Sequence, residues 1–326
     1  MQRVFYTSYS ITDASRASSA PLSQRPTSTA SRFFGNAYLL LTLTTLFWAG
    51  NAVVGRGISG EIPPIALAWL RWTLATLIIL PFAWPHLRRD IPLILAHWKT
   101  LLGLGVLGPG AFNTLYYIGL SKTSALNGLI INSVVPLLVP VATYAVYRTR
   151  LSALQAAGVV LSLTGVVIIL TKGDIIQLAA LNLNEGALWV LAAVVCWSVY
   201  TTVLRERPTI HWKSFATLTF AVAAVANFPL FLAEHWFSRQ MTLTTESLLA
   251  ILYVSTLPSV AAYIFYTRGV HLIGSNRAGV FLHLVPLFGA VLAIVFLGEA
   301  LRLFHFGGFA FIIAGVALAS RPAASR

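Results

Sequence analysis

Apolar residues along the chain gather into runs of about 20, and short polar or basic stretches separate them. A helix rising 1.5 Å per residue needs roughly that length to cross about 30 Å of hydrocarbon. Ten such runs are readable, at about residues 36–55, 63–84, 99–120, 124–147, 152–171, 185–204, 212–234, 247–271, 275–298 and 303–320. Pro63 and Pro64 open the second, where a missing N–H costs little, and Pro81 and Pro85 are expected to close it. The pattern predicts an all-α polytopic membrane protein of ten transmembrane helices. Residues 1–35 stand apart, rich in Ser, Thr and Arg, with one acid (Asp13) and no apolar run. They read as a disordered cytoplasmic tail or, on the same composition, as an organelle transit peptide. No secretory signal is expected.

Composition agrees with the runs: 57% of the 326 residues are hydrophobic and 10% charged, against roughly 45–50% and about 25% in a soluble chain. A single cysteine, Cys196, rules out an intramolecular disulfide and a CxxC metal site. The net charge of +13 does not point to nucleic acid, because the basic residues sit in short loops and tails between apolar runs. There they orient the chain. Alternate loops hold fifteen Lys and Arg on one side and five on the other, and the richer side, which includes both termini, is expected to be cytoplasmic. The expected location is the inner (plasma) membrane, or an organelle membrane if residues 1–35 are a transit peptide.

The chain also repeats. Shifted by 150, Tyr116 meets Tyr266, Gly119 meets Gly269, Pro136 meets Pro286, Gly158 meets Gly308 and Gly165 meets Gly315. A shift of 149 puts Phe47-Trp48-Ala49 on Cys196-Trp197-Ser198. The two units are residues 36–171 and 185–320. Each holds five runs, and an odd number inverts the second copy in the bilayer. Inverted repeats are a recurrent design of secondary transporters, which place substrate near the midplane where paired helices break.

Certain residues carry a family likeness: Leu46-Phe47-Trp48-Ala49-Gly50-Asn51, Leu70-Arg71-Trp72, Leu284-Val285-Pro286-Leu287, and Leu297-Gly298-Glu299-Ala300-Leu301 with Gly307-Gly308 and Gly315-Val316. Over about residues 36–320 the chain resembles the drug/metabolite transporter superfamily, in particular its ten-helix EamA-type exporters. The resemblance implies export of amino acids or similar metabolites. It also implies a Gly-Glu pair closing the fourth helix of each repeat. Here only Glu299 keeps the acid; Arg148-Thr149-Arg150 stands in the first copy.

Breaks are expected at Gly108-Pro109-Gly110 and, in the repeat-related place, at Pro258-Ser259; Pro136 and Pro286 form a second pair. Proline removes an N–H and crowds the preceding turn, and the freed groups must face protein or water. Helical spacing brings polar and aromatic residues to these breaks. Trp48 and Asn51 share a face, as do Trp197 and Tyr200, Asn113 and Tyr116, and Tyr263 and Tyr266. Asn132 on the fourth run and His283 on the ninth complete the candidate cavity lining. The alternative for any one amide is that it binds helices together. Arg71 lies about 12 Å inside the second run with no intramembrane acid to pair with. It can snorkel, bond to carbonyls or hold a substrate carboxylate.

No Asp or Glu is central in any run, so the expected cargo is a small neutral, zwitterionic or anionic molecule, best an amino acid, rather than a cationic drug. No cofactor, metal or nucleic acid is expected, and the carrier is expected to be a monomer in the lipid bilayer working by alternating access. The competing readings are an intramembrane enzyme, for which HExxH and GxSxG constellations are missing, and a channel, for which no ring of charge is visible. The charge count makes a first prediction: a C-terminal reporter active only in the cytoplasm gives signal, whereas activity confined to the outside means a wrong span count.

Overall fold

A computed structural model describes residues 33–148, 153–170, 173–174, 184–238, 240–273 and 281–319. Among the described residues the fold is all helix. The elements are α1 (Ala37–Gly57), α2 (Pro64–Ala96), α3 (Trp98–Gly105), a π-helical segment (Val106–Phe112), α4 (Asn113–Lys122), α5 (Ala125–Asn132), α6 (Val135–Tyr147) and α7 (Ala153–Leu170). They continue with α8 (Glu185–Val203), α9 (Trp212–Phe237), α10 (Thr245–Ser255), a second π-helical segment (Thr256–Ala261), α11 (Ala262–Ile273), α12 (Leu284–Leu297) and α13 (Leu303–Ala319).

Six helical stretches are long and apolar enough to cross a bilayer: Ala37–Gly60, Pro64–Ala96, Trp98–Lys122, Glu185–Glu206, Trp212–Phe237 and Thr245–Val270. A seventh is possible if α5 and α6, bent by 52°, act as one. The apolar helices Ala156–Gly165, Leu284–Leu297 and Leu303–Gly315 are shorter. Residues 1–32, which include nearly all of the expected tail, lie outside the described residues.

The expected end of the second run is wrong. α2 continues through Pro81, Pro85 and Pro92 to Ala96, 33 residues in all. The three prolines fall on an exposed stripe, spaced four and seven apart. Each removes one backbone bond on that side, and the bonds on the packed side carry the helix on.

Packing follows the repeat. α1 packs against α11 and α12, while α8 packs against α4 and α6. Under the shift of 150 the first set maps onto the second, so each copy's opening helix lies against the third and fourth helical runs of the other copy. The mates α2 and α9 pack on one another, as do α7 and α13. Glycines bring these pairs close. A Cβ on Gly119 would stand 2.7 Å from the Gly186 carbonyl oxygen, and one on Gly186 would stand 2.6 Å from that of Gly119. In the α7–α13 pair, a Cβ on Gly165 would meet the Gly308 carbonyl oxygen at 2.5 Å. In lipid, where apolar surface gains little by leaving its solvent, such close backbone contact is what holds helices together.

A size increase here is therefore expected to matter by position and not by chemistry. Gly165→Leu should lower the thermal midpoint and the folded yield, by an amount on the order of 1–3 kcal/mol for overpacking. Gly307→Leu, on α13 where a Cβ would meet nothing within 4 Å, should be silent by size-exclusion chromatography and thermal unfolding. Equal loss in both would remove the close-contact account.

Candidate functional site

The two π-helical segments start at Val106 and Thr256, 150 positions apart, and each contains the proline expected to break its run. A π turn widens the helix to fit the residue whose N–H is missing. Side chains also bond carbonyls in and beside the two breaks. Asn113 Nδ2 donates to the Pro109 carbonyl at 3.3 Å and Thr114 Oγ1 to that of Gly110 at 2.9 Å. In the second segment Ser259 Oγ donates to the Val254 carbonyl at 2.8 Å, and Trp48 Nε1 to the Pro258 carbonyl at 3.1 Å. The fourth run also breaks, between α5 and α6, and Pro136 sits in the first turn of α6. Pro286 is buried in α12.

Arg71 joins the two π breaks. It is 3% exposed. Its Nη1 lies 2.7 Å from Asn51 Oδ1, 2.9 Å from Asn113 Oδ1 and 2.8 Å from the Tyr117 hydroxyl. Its Nε donates to Ser259 Oγ at 2.8 Å. Tyr117 in turn donates to Asn51 Oδ1 at 2.6 Å, and the Trp72 ring lies 4.6 Å from the guanidinium carbon. One guanidinium thus reaches α1, the start of α4 and the second π segment. All these partners are neutral. An Arg at the centre of a membrane helix costs about 2.5–3.5 kcal/mol by insertion measurements, and here dipoles and a ring face offset that cost without cancelling the charge.

The other sequence-predicted residues fall into two aromatic groups and some outliers. Trp48 and Tyr266 lie 5.5 Å apart on α1 and α11. Trp197 lies 4.9 Å from Tyr200 and 4.8 Å from Phe112, which stacks on Tyr116 at 5.5 Å. Tyr200 also lies over Gly108, where a Cβ would stand 2.6 Å from its ring. Gly110 is buried on the same turn. Tyr263 packs edge-on against Phe220 at 5.2 Å. Asn132 ends α5, and its Oδ1 is buried with no partner among the described residues. The His283 side chain lies outside those described. Sequence reasoning missed Tyr117, Ser259 and Trp72 as partners of Arg71. Tyr117 was findable, because it is four residues after Asn113 and shares its helical face.

Three carboxylates act away from this centre, each on the N-terminal end of a helix in the other repeat. Glu234 accepts from the Ile65 and Ala66 N–H groups at 3.2 and 2.7 Å. Glu299 accepts from those of Ala125 and Leu126 at 2.7 and 2.9 Å. Asp90 accepts from the His211 N–H at 2.9 Å. The acid singled out by the family resemblance therefore does structural work: it satisfies two orphan donors and complements the helix dipole. Next to Asp90, the His211 ring stacks on His86 at 3.6 Å. Burial, with help from His86 and Lys213, holds the His211 imidazole below its usual pKa against the opposing charge of Asp90. At the end held by Glu299, the buried His305 bonds Asn127 Oδ1 at 3.1 Å. A recess of about 990 Å³ between α7 and α13, lined by residues such as Val167, Leu301 and Phe304, does not include the Arg71 centre.

Paired helix breaks tied through one buried charge, in a helical membrane fold of two like halves, define a transporter class of protein. The EamA-like transporter family model matches residues 35–171 and 184–321, and the chain belongs to that family. An uncharacterized transporter of Archaeoglobus fulgidus is 30% identical over 86% of this chain and 96% of its own length. A Salmonella typhimurium protein named "Probable amino-acid metabolite efflux pump" is 25% identical over 85% of this chain and 92% of its own. A solved crystal structure matches with a TM-score of 0.57 at 21% identity, over 87% of this chain and 97% of that one, which supports the fold alone. A family and relatives made up of transporters point away from an enzyme.

The capping geometry makes a prediction. Glu299→Ala strands two N–H groups and should lower stability by about 1–2 kcal/mol in thermal unfolding, while Glu299→Gln, which keeps one acceptor, should lose less. Equal stability of wild type and Glu299→Ala would mean that the cap carries no weight.

Proposed function

We propose that this protein is a secondary carrier that exports a small neutral or zwitterionic metabolite, best an amino acid, by alternating access. In this reading the ten helical runs span the membrane as two inverted five-helix repeats with both termini cytoplasmic. The observation that carries it is the pair of π-helical breaks at repeat-related positions, with Arg71 bonded to Ser259 in the second and to Asn113 at the end of the first. A brace or scaffold would not need two broken helices meeting at one charge, whereas a carrier needs backbone that can re-pair as it rocks. The exchanged packing of α1 and α8 against opposite halves supports a two-fold relation on which rocking would depend. The name of the Salmonella relative supports the choice of amino acid. Substrate would contact Trp48, Tyr266, Trp197 and Tyr200 around the breaks, with Asn51, Asn113, Tyr116, Asn132, Tyr263 and His283 as further lining. The α7–α13 pair, far from the breaks in sequence and locked by Gly165, would stay fixed. With no acid in the central layer, uniport or exchange is the expected energetics.

The test is counterflow in proteoliposomes across the twenty amino acids. At least one should show saturable, trans-stimulated uptake. Trp48→Ala and Tyr266→Ala should lower it at least about tenfold, on the order of 1.4 kcal/mol, with protein still in the membrane. No counterflow for any amino acid, or full activity in both variants, would overturn the assignment.

A further inference from the structure

We infer that Arg71 and the Trp72 indole N–H form an anion seat that reads the carboxylate of the cargo, and that the site does not read an amino group. This deepens the carrier reading and rests on it only for what is moved, not for the binding itself. Arg71 bonds through Nε and Nη1, and among the described residues Nη2 makes no hydrogen bond. Directly beneath the guanidinium lies the ring of Trp72, 1% exposed, whose Nε1 is buried with no acceptor. The indole N–H is thus a buried donor without an acceptor, on a ring packed against a full positive charge. Buried donors without acceptors are costly, so such groups in a folded protein call for an explanation. An incoming carboxylate supplies both acceptors and the missing negative charge together. It also suits the planar guanidinium, which binds carboxylates better than a Lys ammonium does.

A purely structural hub would not need the charge. A neutral amide such as Gln offers donors to Asn51, Asn113 and Ser259 at a lower desolvation cost. Among the described residues Asp90, Glu234 and Glu299 cap helices and Glu185 pairs with Lys122, and none of the hydrogen bonds of Arg71 goes to an acid that could also bind an ammonium group. The seat therefore takes monocarboxylates as a class. A 2-oxo or 2-hydroxy acid should bind like the amino acid of the same side chain, and an amino-acid amide should not. Binding also neutralises Arg71 where it ties the two breaks, so cargo loading and relaxation of the breaks become one event.

Thermal unfolding of the purified full-length chain tests this, with the twenty amino acids, their amides, and pyruvate, lactate and acetate as probes. The expected result is that at least one carboxylate raises the midpoint saturably. Its amide should need at least a tenfold higher concentration, and its desamino counterpart should match it within about threefold. Arg71→Gln should abolish the shift and Trp72→Phe should weaken it. No shift from any carboxylate, an equal shift from an amide, or a full shift in Arg71→Gln overturns the proposal. If Arg71→Gln does not fold, the wild-type acid-against-amide comparison decides alone. Binding without counterflow would sink the carrier reading while leaving the seat in place.

Discussion

A backbone polar group inside hydrocarbon has no water to turn to, and the architecture of this protein follows from that constraint. An unbroken helix meets it internally. A helix that starts near the apolar layer, or breaks within it, must borrow partners from other elements. The chain supplies them in two ways. Carboxylates at the ends of α9 and α12 close the first turns of α2 and α5. Neutral side chains bond the π breaks, with Asn113, Thr114, Ser259 and Trp48 each donating to a carbonyl in or beside one. The carboxylates and Trp48 reach across from the opposite repeat, so satisfying the backbone at those places also fixes the fold.

Arg71 sits where these two demands meet. Asn113 and Ser259 both repair a break and bond the guanidinium, so the charge and the breaks stabilise a single arrangement. Anything that changes the state of Arg71 is felt at both breaks together. The carboxylate caps lie at the helix ends, in a position to set how far those ends separate. One asymmetry follows from composition: Glu299 caps α5, while its repeat mate is the basic Arg148-Thr149-Arg150 stretch.

The sequence by itself determined much of this. Hydropathy marked ten runs, and their described residues are largely helical, six of them in stretches long and apolar enough to cross a bilayer, because length and apolarity are local properties of the chain. The offset of 150 anticipated two matched breaks, since proline acts on its own turn wherever it is placed. That Arg71 would lack an acid partner was legible for the same reason: no acid is central in any run. Only the tertiary structure decided the partners. Tyr117, Ser259 and Trp72 gather at Arg71 through the crossing of helices far apart in sequence, which no periodicity encodes. The role of Glu299 as a cap on α5 was invisible for that reason too. Pro81 and Pro85 read as a stop because proline breaks helices on average. The exposed stripe they share with Pro92 let α2 run on, and which side of a helix faces its neighbours is settled by packing and not by the residue alone.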